Sequence, residues 1–289
     1  MPVIVDKLAI VGTGLIGGSF ALALKQAGAV REVLGVGRSP AQLAVARELG
    51  LIDRAADWNE VGQADCVVLA MPVGETEAVL KKLVPHLKAG AIVTDVGSTK
   101  VNVVEAARTA LGARFADFVP GHPIAGSEQS GPGAARADLY RGKRVVLTPQ
   151  TDTRADAVAT VRRLWETAGA QVETLDAAQH DRIFAAVSHL PHLAAFALVD
   201  ELAQRADGDI FFRFAASGFR DFTRIAGSSP EMWRDIALAN REALLTELDA
   251  YVTALQALRS AVSAEDAEAL LAIFSRAREA RNNWAQTKP

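Results

Sequence analysis

The chain has 289 residues, half of them apolar, with a single cysteine and a formal net charge of −3. That length and apolar content are enough for one large domain or two ordinary ones. Lysine and arginine form no block, so there is no footprint for nucleic acid or an anionic membrane surface, and small-molecule partners are expected.

Reading along the chain, Lys7 to Val11 is a short buried strand, Gly12 to Gly17 a turn, Leu15 to Ala27 a helix ended by Gly28, and Val33 to Val36 the next strand. Together they make one βαβ unit. No charge lies between Lys7 and Lys25, but four glycines break the stretch, so no signal peptide or membrane anchor is expected. Ala41 to Leu49 reads as helix, Cys66 to Met71 as a strand stopped by Pro72, Glu75 to Leu83 as helix, Ile92 to Val96 as strand and Thr99 to Leu111 as helix. Such alternation predicts a parallel sheet covered on both faces. Cys66, inside an apolar run, reads as a small buried hydrophobe and not as a nucleophile. The lack of disulfides fits a reducing cytoplasm.

A further strand at Val145 to Thr148, a helix from Arg154 to Ala168 and a strand from Gln171 to Leu175 bring the sheet domain to its close near Ala178. From Ile183 to Asn282 the pattern is rich in alanine and leucine and helical in period. The expected fold class is therefore α/β: a doubly wound dinucleotide-binding domain over residues 1–178, then an all-helical domain over 179–289. The stretch from Leu190 to Val199 is apolar nearly all round, which calls for a second buried face and suggests a homodimer.

Gly12-Thr13-Gly14-Leu15-Ile16-Gly17 matches G-x-G-x-x-G between a strand and a helix. In that setting Gly12 permits the tight turn, Gly14 lets backbone approach a pyrophosphate, and Gly17 packs helix on sheet. The amides of Leu15 and Ile16 would then face the phosphates at the positive end of the helix. Twenty residues past Gly17, where an acid would hold an NAD ribose, stands Gly37-Arg38-Ser39. Arg38 and Ser39 suit a 2′-phosphate, so NADP is favoured over NAD, unless Arg38 simply lies on the surface.

Four of the five histidines fall in two stretches, Gly121-His122-Pro123-Ile124-Ala125-Gly126-Ser127-Glu128 and His180 to His192. His122 follows the apolar strand end Phe118-Val119-Pro120 and is fixed between glycine and proline, as suits a proton acceptor. Ser98 follows the strand Ile92 to Val96, at a carboxyl end where ligands bind in such sheets. A helix N-cap role for Ser98 or Thr99 is the alternative. His189 and His192 share a helix face, but no third ligand motif accompanies them and no metal is expected. Arg220 and Arg224 lie in the apolar segment Phe211 to Ala226 and call for an anion, either Asp221 or an acidic substrate. A serine hydrolase is disfavoured because G-x-S-x-G is absent.

Taken together, the loop at Gly12 to Gly17, Asp95-Val96-Gly97-Ser98-Thr99-Lys100, Gly121 to Gly126, Ser188-His189-Leu190-Pro191-His192, and Gly218 to Ala226 with Met232-Trp233-Arg234-Asp235 resemble the prephenate/arogenate dehydrogenases of tyrosine biosynthesis. The resemblance covers nearly the whole chain. It implies a Rossmann domain, a helical dimerisation domain, and oxidative decarboxylation of prephenate or L-arogenate with hydride transfer to NAD(P). It also implies that His122 accepts the ring hydroxyl proton, Ser98 supports that hydroxyl, Arg224 binds a substrate carboxylate, and Ser188, His189, His192 and Trp233 line the pocket. The end at Pro289 leaves no room for the regulatory or mutase domains of some relatives, so tyrosine feedback would act at the active site. The rivals are another Rossmann-plus-helical dehydrogenase or a nucleotide-sensing protein. Enzymes of the first kind commonly use a helical-domain lysine, and Ile183 to Asn282 contains none.

Overall fold

Strands that are apolar on both faces belong inside a covered parallel sheet, and the N-terminal half is built this way. The computed structural model describes residues 2–127 and 129–286; Glu128 of the His122 motif and the end at Pro289 lie outside them. Strands β1 (Val5–Val11), β2 (Val30–Val36), β3 (Arg54–Ala55), β4 (Cys66–Leu69), β5 (Ile92–Asp95) and β6 (Phe118–Val119) form a parallel sheet in the order β3-β2-β1-β4-β5-β6. The connecting helices are α1 (Leu15–Gln26), α2 (Pro40–Glu48), α3 (Trp58–Gly62), α4 (Thr76–Leu83) and α5 (Val101–Leu111). Period-two alternation sorts β1 between two cores. Leu8 and Ile10 join Phe20, Leu24, Tyr140 and Trp165, whereas Ala9 and Val11 join Leu80, Leu83, Val103 and Phe118. Cys66 is fully buried, and burial raises its thiol pKa, so it is a hydrophobe here.

The chain order reverses at β1, which lies between β2 and β4, and ligands of such sheets bind outside the carboxyl ends at that switch. The later strands differ from expectation. β7 (Gly121–Pro123), β8 (Arg144–Leu147) and β9 (Gln171–Thr174) form a separate sheet, with β7 antiparallel to β8 and β8 parallel to β9. Pro120 supplies the reason: it has no N–H for the ladder, and its carbonyl instead accepts from Thr148 N at 3.0 Å. The pairing thus moves from β6 to a second sheet, and His122 starts that sheet. Helix α6 (Ala155–Thr167) joins β8 to β9.

After β9 the described residues are helical: α7 (Ala177–Phe184), α8 (Leu190–Ala203), α9 (Gly208–Phe214), α10 (Ser217–Thr223), α11 (Pro230–Ala239), α12 (Arg241–Ser263) and α13 (Ala267–Gln286). Asp176 caps α7 by accepting from Ala178 and Gln179 N. A π turn, Ala185–His189, splices α7 to α8. Pro191 explains it, because its ring crowds the carbonyl of residue 187 and it has no N–H to return, so a wider turn is the lower-strain path. Backbone packing divides the chain into a unit of residues 1–241 and a second of 242–289. In the second unit Leu245, Val252, Leu255, Leu271, Phe274 and Trp284 are exposed.

Among the described residues, the continuous helix Ala177–Ala203 is the one long and apolar enough to cross a membrane. Its first turns bury His180 and Asp181, so that end is bound to protein.

Candidate active site

The nucleotide loop owes its shape to crowding. Gly12 has φ +100°, and a Cβ there would lie 2.4 Å from the Ala70 carbonyl oxygen. A Cβ on Gly17 would lie 2.3 Å from Gly12 O, so both positions admit only glycine. A Cβ on Gly14 would meet nothing within 4 Å, leaving its face open to a ligand. Helix α1 starts at Leu15 with no side-chain cap and no acid in its first turn. Unpaired N–H groups at Leu15 and Ile16, beside Thr13, thus make an anion site that fits a dinucleotide pyrophosphate. Arg38, at the end of β2, is 82% exposed and pairs with Glu75 at 2.7 Å. Ser39 is engaged as the N-cap of α2, accepting from Gln42 N at 3.3 Å.

The carboxyl end of β5 carries Asp95, whose carboxylate gathers Gly97 N at 2.7 Å and Gly121 N at 3.0 Å. Lys100, fully buried, pairs with Asp95 and donates to Gly121 O at 2.9 Å. Both backbone groups of the residue before His122 are therefore held by one buried ion pair. Burial lowers the Lys100 pKa while Asp95 opposes the shift. Ser98 is not the cap of α5. The Asp181 carboxylate performs that work from α7, accepting from Lys100 N at 2.7 Å and Val101 N at 2.8 Å.

His122 on β7 is 9% exposed. Its Nδ1 lies 2.9 Å from His180 Nε2, and His180 Nδ1 lies 2.8 Å from Asp181 Oδ1. Phe184 packs edge-on to the His122 ring. The His122 pKa sits well below the ordinary imidazole value, first through burial and then through His180, Lys100 and His189. His180 is lowered too, by burial against the opposing pull of Asp181. Both rings are neutral at physiological pH.

The π turn presents Ser188 and His189, and α8 presents His192. Asn240 Nδ2 donates to Asp181 O at 2.8 Å and lies 3.1 Å from His189 Nδ1, so one amide nitrogen spends its two hydrogens there. The His189 proton then sits on Nε2, a buried atom on which the Ser98 backbone acts to raise the pKa, while Trp233 Nε1 is a buried donor with no hydrogen-bond partner among the described residues. Burial pushes the His189 pKa down to about 4, with Asp181 opposing. His192 Nδ1 donates to Ser188 O at 2.8 Å.

The fold brings Ser98, His122, His189, His192 and Trp233 near one another. No motif in the chain marks a role for His180, Asp181, Lys100 or Asn240. The nearest signal for the first two is a His-Asp pair one turn into a capped helix. The apolar setting read for Arg224 is not buried: Arg220, Asp221 and Arg224 are exposed, as are Phe211, Phe212, Phe214 and Phe222. The turn that carries Arg224 packs along α8.

A dinucleotide loop at the switch of a doubly wound sheet, with a buried neutral histidine at the end of a nearby strand, defines an NAD(P)-dependent dehydrogenase fold. Residues 20–174 match the family model for the prephenate dehydrogenase nucleotide-binding domain, and residues 176–276 match that for its dimerization domain. The chain belongs to the prephenate dehydrogenase family. It is 38% identical to a Bacillus subtilis prephenate dehydrogenase, over 96% of this chain and 76% of that one. It is 37% identical to a Zymomonas mobilis cyclohexadienyl dehydrogenase, over 95% and 94% of the two chains. Among solved structures, a prephenate dehydrogenase from A. aeolicus in complex with hydroxyphenyl propionate and NAD+ superimposes with a TM-score of 0.90 at 38% identity, covering 96% of this chain and 98% of that one. A Synechocystis arogenate dehydrogenase gives 0.80 at 33%, covering 96% and 99%.

Proposed function

We propose that this chain oxidatively decarboxylates prephenate, L-arogenate or both, giving 4-hydroxyphenylpyruvate or L-tyrosine, with His122 as the base. The observation that carries the reading is the state of His122: buried, neutral, and engaged at Nδ1 by His180, so that Nε2 is the ring nitrogen left to meet a substrate. The bound nicotinamide supplies a hydride acceptor for ring C4, held through Gly12, Thr13, Gly14, Leu15, Ile16 and Gly17. His122 takes the proton of the C4 hydroxyl as that carbon is oxidised. Loss of the ring carboxylate as CO2 then aromatises the ring and makes the step downhill, and the imidazolium returns its proton to the phenolate oxygen. Ser98 supports the same hydroxyl from the end of β5. Arg224 holds a substrate carboxylate, and Ser188, His189, His192 and Trp233 line the pocket. The buried donor Trp233 Nε1, without a partner among the described residues, supports this, because a buried donor is costly until something accepts from it.

NADP is the favoured cofactor in this reading, with Arg38 and Ser39 at its 2′-phosphate. An exposed ion pair such as Arg38–Glu75 contributes little, so Arg38 is released to a phosphate at small cost. The working assembly is a cytoplasmic homodimer, supported by the dimerization-domain match and by the exposed apolar residues of α8, α9 and the second unit. Residues 1–178 hold the dinucleotide, and 179–289 serve substrate binding and dimerisation.

The test is a two-by-two assay of prephenate and L-arogenate with NAD+ and NADP+, following reduced nicotinamide and CO2, with His122→Asn beside the wild type. The expected loss in kcat for the variant is about 10²–10⁴-fold. Turnover of neither substrate, or a variant within a few-fold of wild type, overturns the reading.

A further inference from the structure

Resting on the reading of His122 as the base, we infer that Asp181 and His180 are positioning residues that set the tautomer of His122, leaving its Nε2 unprotonated. The line of contacts is Asp181 Oδ1 to His180 Nδ1 at 2.8 Å, and His180 Nε2 to His122 Nδ1 at 2.9 Å. Each imidazole in such a line has one donor and one acceptor nitrogen when neutral, so the direction of one bond fixes the other.

Asp181 determines that direction. Its two oxygens already accept backbone hydrogens from Lys100 and Val101, groups that can only donate. The carboxylate is thus an acceptor on every side, and His180 must offer it Nδ1–H. That leaves His180 Nε2 as an acceptor. Among the described residues, the hydrogen that reaches it is the one on His122 Nδ1, and His122 Nε2 keeps its lone pair for the substrate hydroxyl. In the imidazolium that forms on proton transfer, His122 Nδ1–H still points into a chain that ends on a negative charge, which supports that charge without a second proton transfer.

The arrangement closes on itself through Lys100. The Lys100 side chain holds the carbonyl of Gly121, next to His122, while its backbone N–H holds Asp181. Asn240 donates to the Asp181 carbonyl, tying the same residue from α11's end. His180 itself is fully buried and packs against Phe184, so the ring has little room to flip. A His-Asp pair that served only to cap α5 would need the Asp181 carboxylate and no imidazole at all.

Two variants and one spectrum test this. Asp181 Oδ1 meets both Lys100 N and His180 Nδ1, whereas Oδ2 meets Val101 N. In Asp181→Asn an NH2 in the Oδ1 place gives up Lys100 N, donates to His180 Nδ1 and reverses both bonds, placing the proton on His122 Nε2, while the amide oxygen keeps Val101 N. The expected loss in kcat is about 10³–10⁴-fold, with KM changed only a few-fold, as for a catalytic histidine held in the wrong tautomer. In the double variant Asp181→Asn with His180→Leu no reversed donor reaches His122, so activity should rise at least about tenfold above Asp181→Asn alone, a non-additivity that lost capping cannot produce. Nitrogen-15 spectra of histidine-labelled wild-type protein should show His122, assigned by its loss in His122→Asn, with a protonated Nδ1 and an unprotonated Nε2. A wild-type His122 protonated on Nε2, an Asp181→Asn variant within a few-fold of wild type, or a double variant no better than the single one overturns the inference. The spectrum decides it even if Asp181→Asn fails to fold. His122→Asn retaining activity would instead overturn the assignment of the base and leave the tautomer measurement standing.

Discussion

The Trp233 indole lies flat on the His192 imidazole, with ring centroids 3.6 Å apart and planes 21° from parallel. His192 Nδ1 is occupied by the Ser188 carbonyl, so the stack fixes a ring whose Nε2 is its acceptor. An aromatic pair contributes about 0.5–1.5 kcal/mol beyond area burial. Trp233→Leu should therefore raise the KM for the preferred substrate by about two- to tenfold while kcat changes less, as steady-state kinetics will read. A change confined to kcat would place Trp233 nearer the reacting carbon than we propose.

Arg224 is exposed on the turn that packs along α8, the helix to which His192 belongs. A charged hydrogen bond to a substrate carboxylate is worth about 1.5–3 kcal/mol, so Arg224→Ala should raise KM by about ten- to a hundredfold. Because a guanidinium keeps its charge, that effect should be the same across the whole pH range of activity. Wild-type KM in a folded variant would remove Arg224 from the pocket.

Cofactor choice turns on two neighbours of Arg38. A Cβ at Gly37 meets nothing closer than Leu43 at 3.6 Å, so Gly37→Asp is sterically tolerated and should favour NAD over NADP by about ten- to a hundredfold. Glu75→Gln removes the carboxylate that holds Arg38 and should shift the ratio modestly toward NADP. Ratios of kcat/KM for the two cofactors measure both. No shift in either variant, or each shift in the reverse of its stated direction, would mean that Arg38 stays with the surface.

Acid should weaken the fold. The pKa of His189 is about 4 when folded, against about 6.5 for an unperturbed imidazole, so the unfolded chain binds the extra proton first. The stability tied to keeping this ring neutral is complete above about pH 6.5 and is lost as pH falls toward 4, amounting to about 3 kcal/mol. His122 and His180 are lowered in the same direction and add to the loss. Thermal melts should show Tm falling across that window, and His189→Gln should flatten the fall. For catalysis the same sign holds: the base works in its neutral form, so a lowered His122 pKa carries activity below the ordinary imidazole range.

A dimer should bury well over about 2,000 Å², taking up exposed residues such as Phe214, Leu255 and Phe274. Light scattering at micromolar concentration should give twice the 30.6 kDa chain mass. Phe274→Glu should shift the population toward monomer, and a wild-type monomer would exclude the assembly.

Sequence by itself determined what depends on local period and on steric uniqueness. Alternating strands and helices set the order of β1, α1 and β2. Gly12 and Gly17 announced the nucleotide loop because no other residue fits those close approaches, and His122 was marked by its place between glycine and proline. The long helical period after Ile183 separated the strand-bearing part from the helical part. Short elements such as β3 and α3 escaped because so few residues carry no period. Tertiary structure alone decided where the strands after Pro120 pair, since a missing N–H ends one ladder without naming the next. It also decided that Asp181, 81 residues from Lys100 in the chain, caps α5, and that His180 reaches His122 across 58 residues. Those partners are set by packing between distant segments, and no spacing in the chain records them.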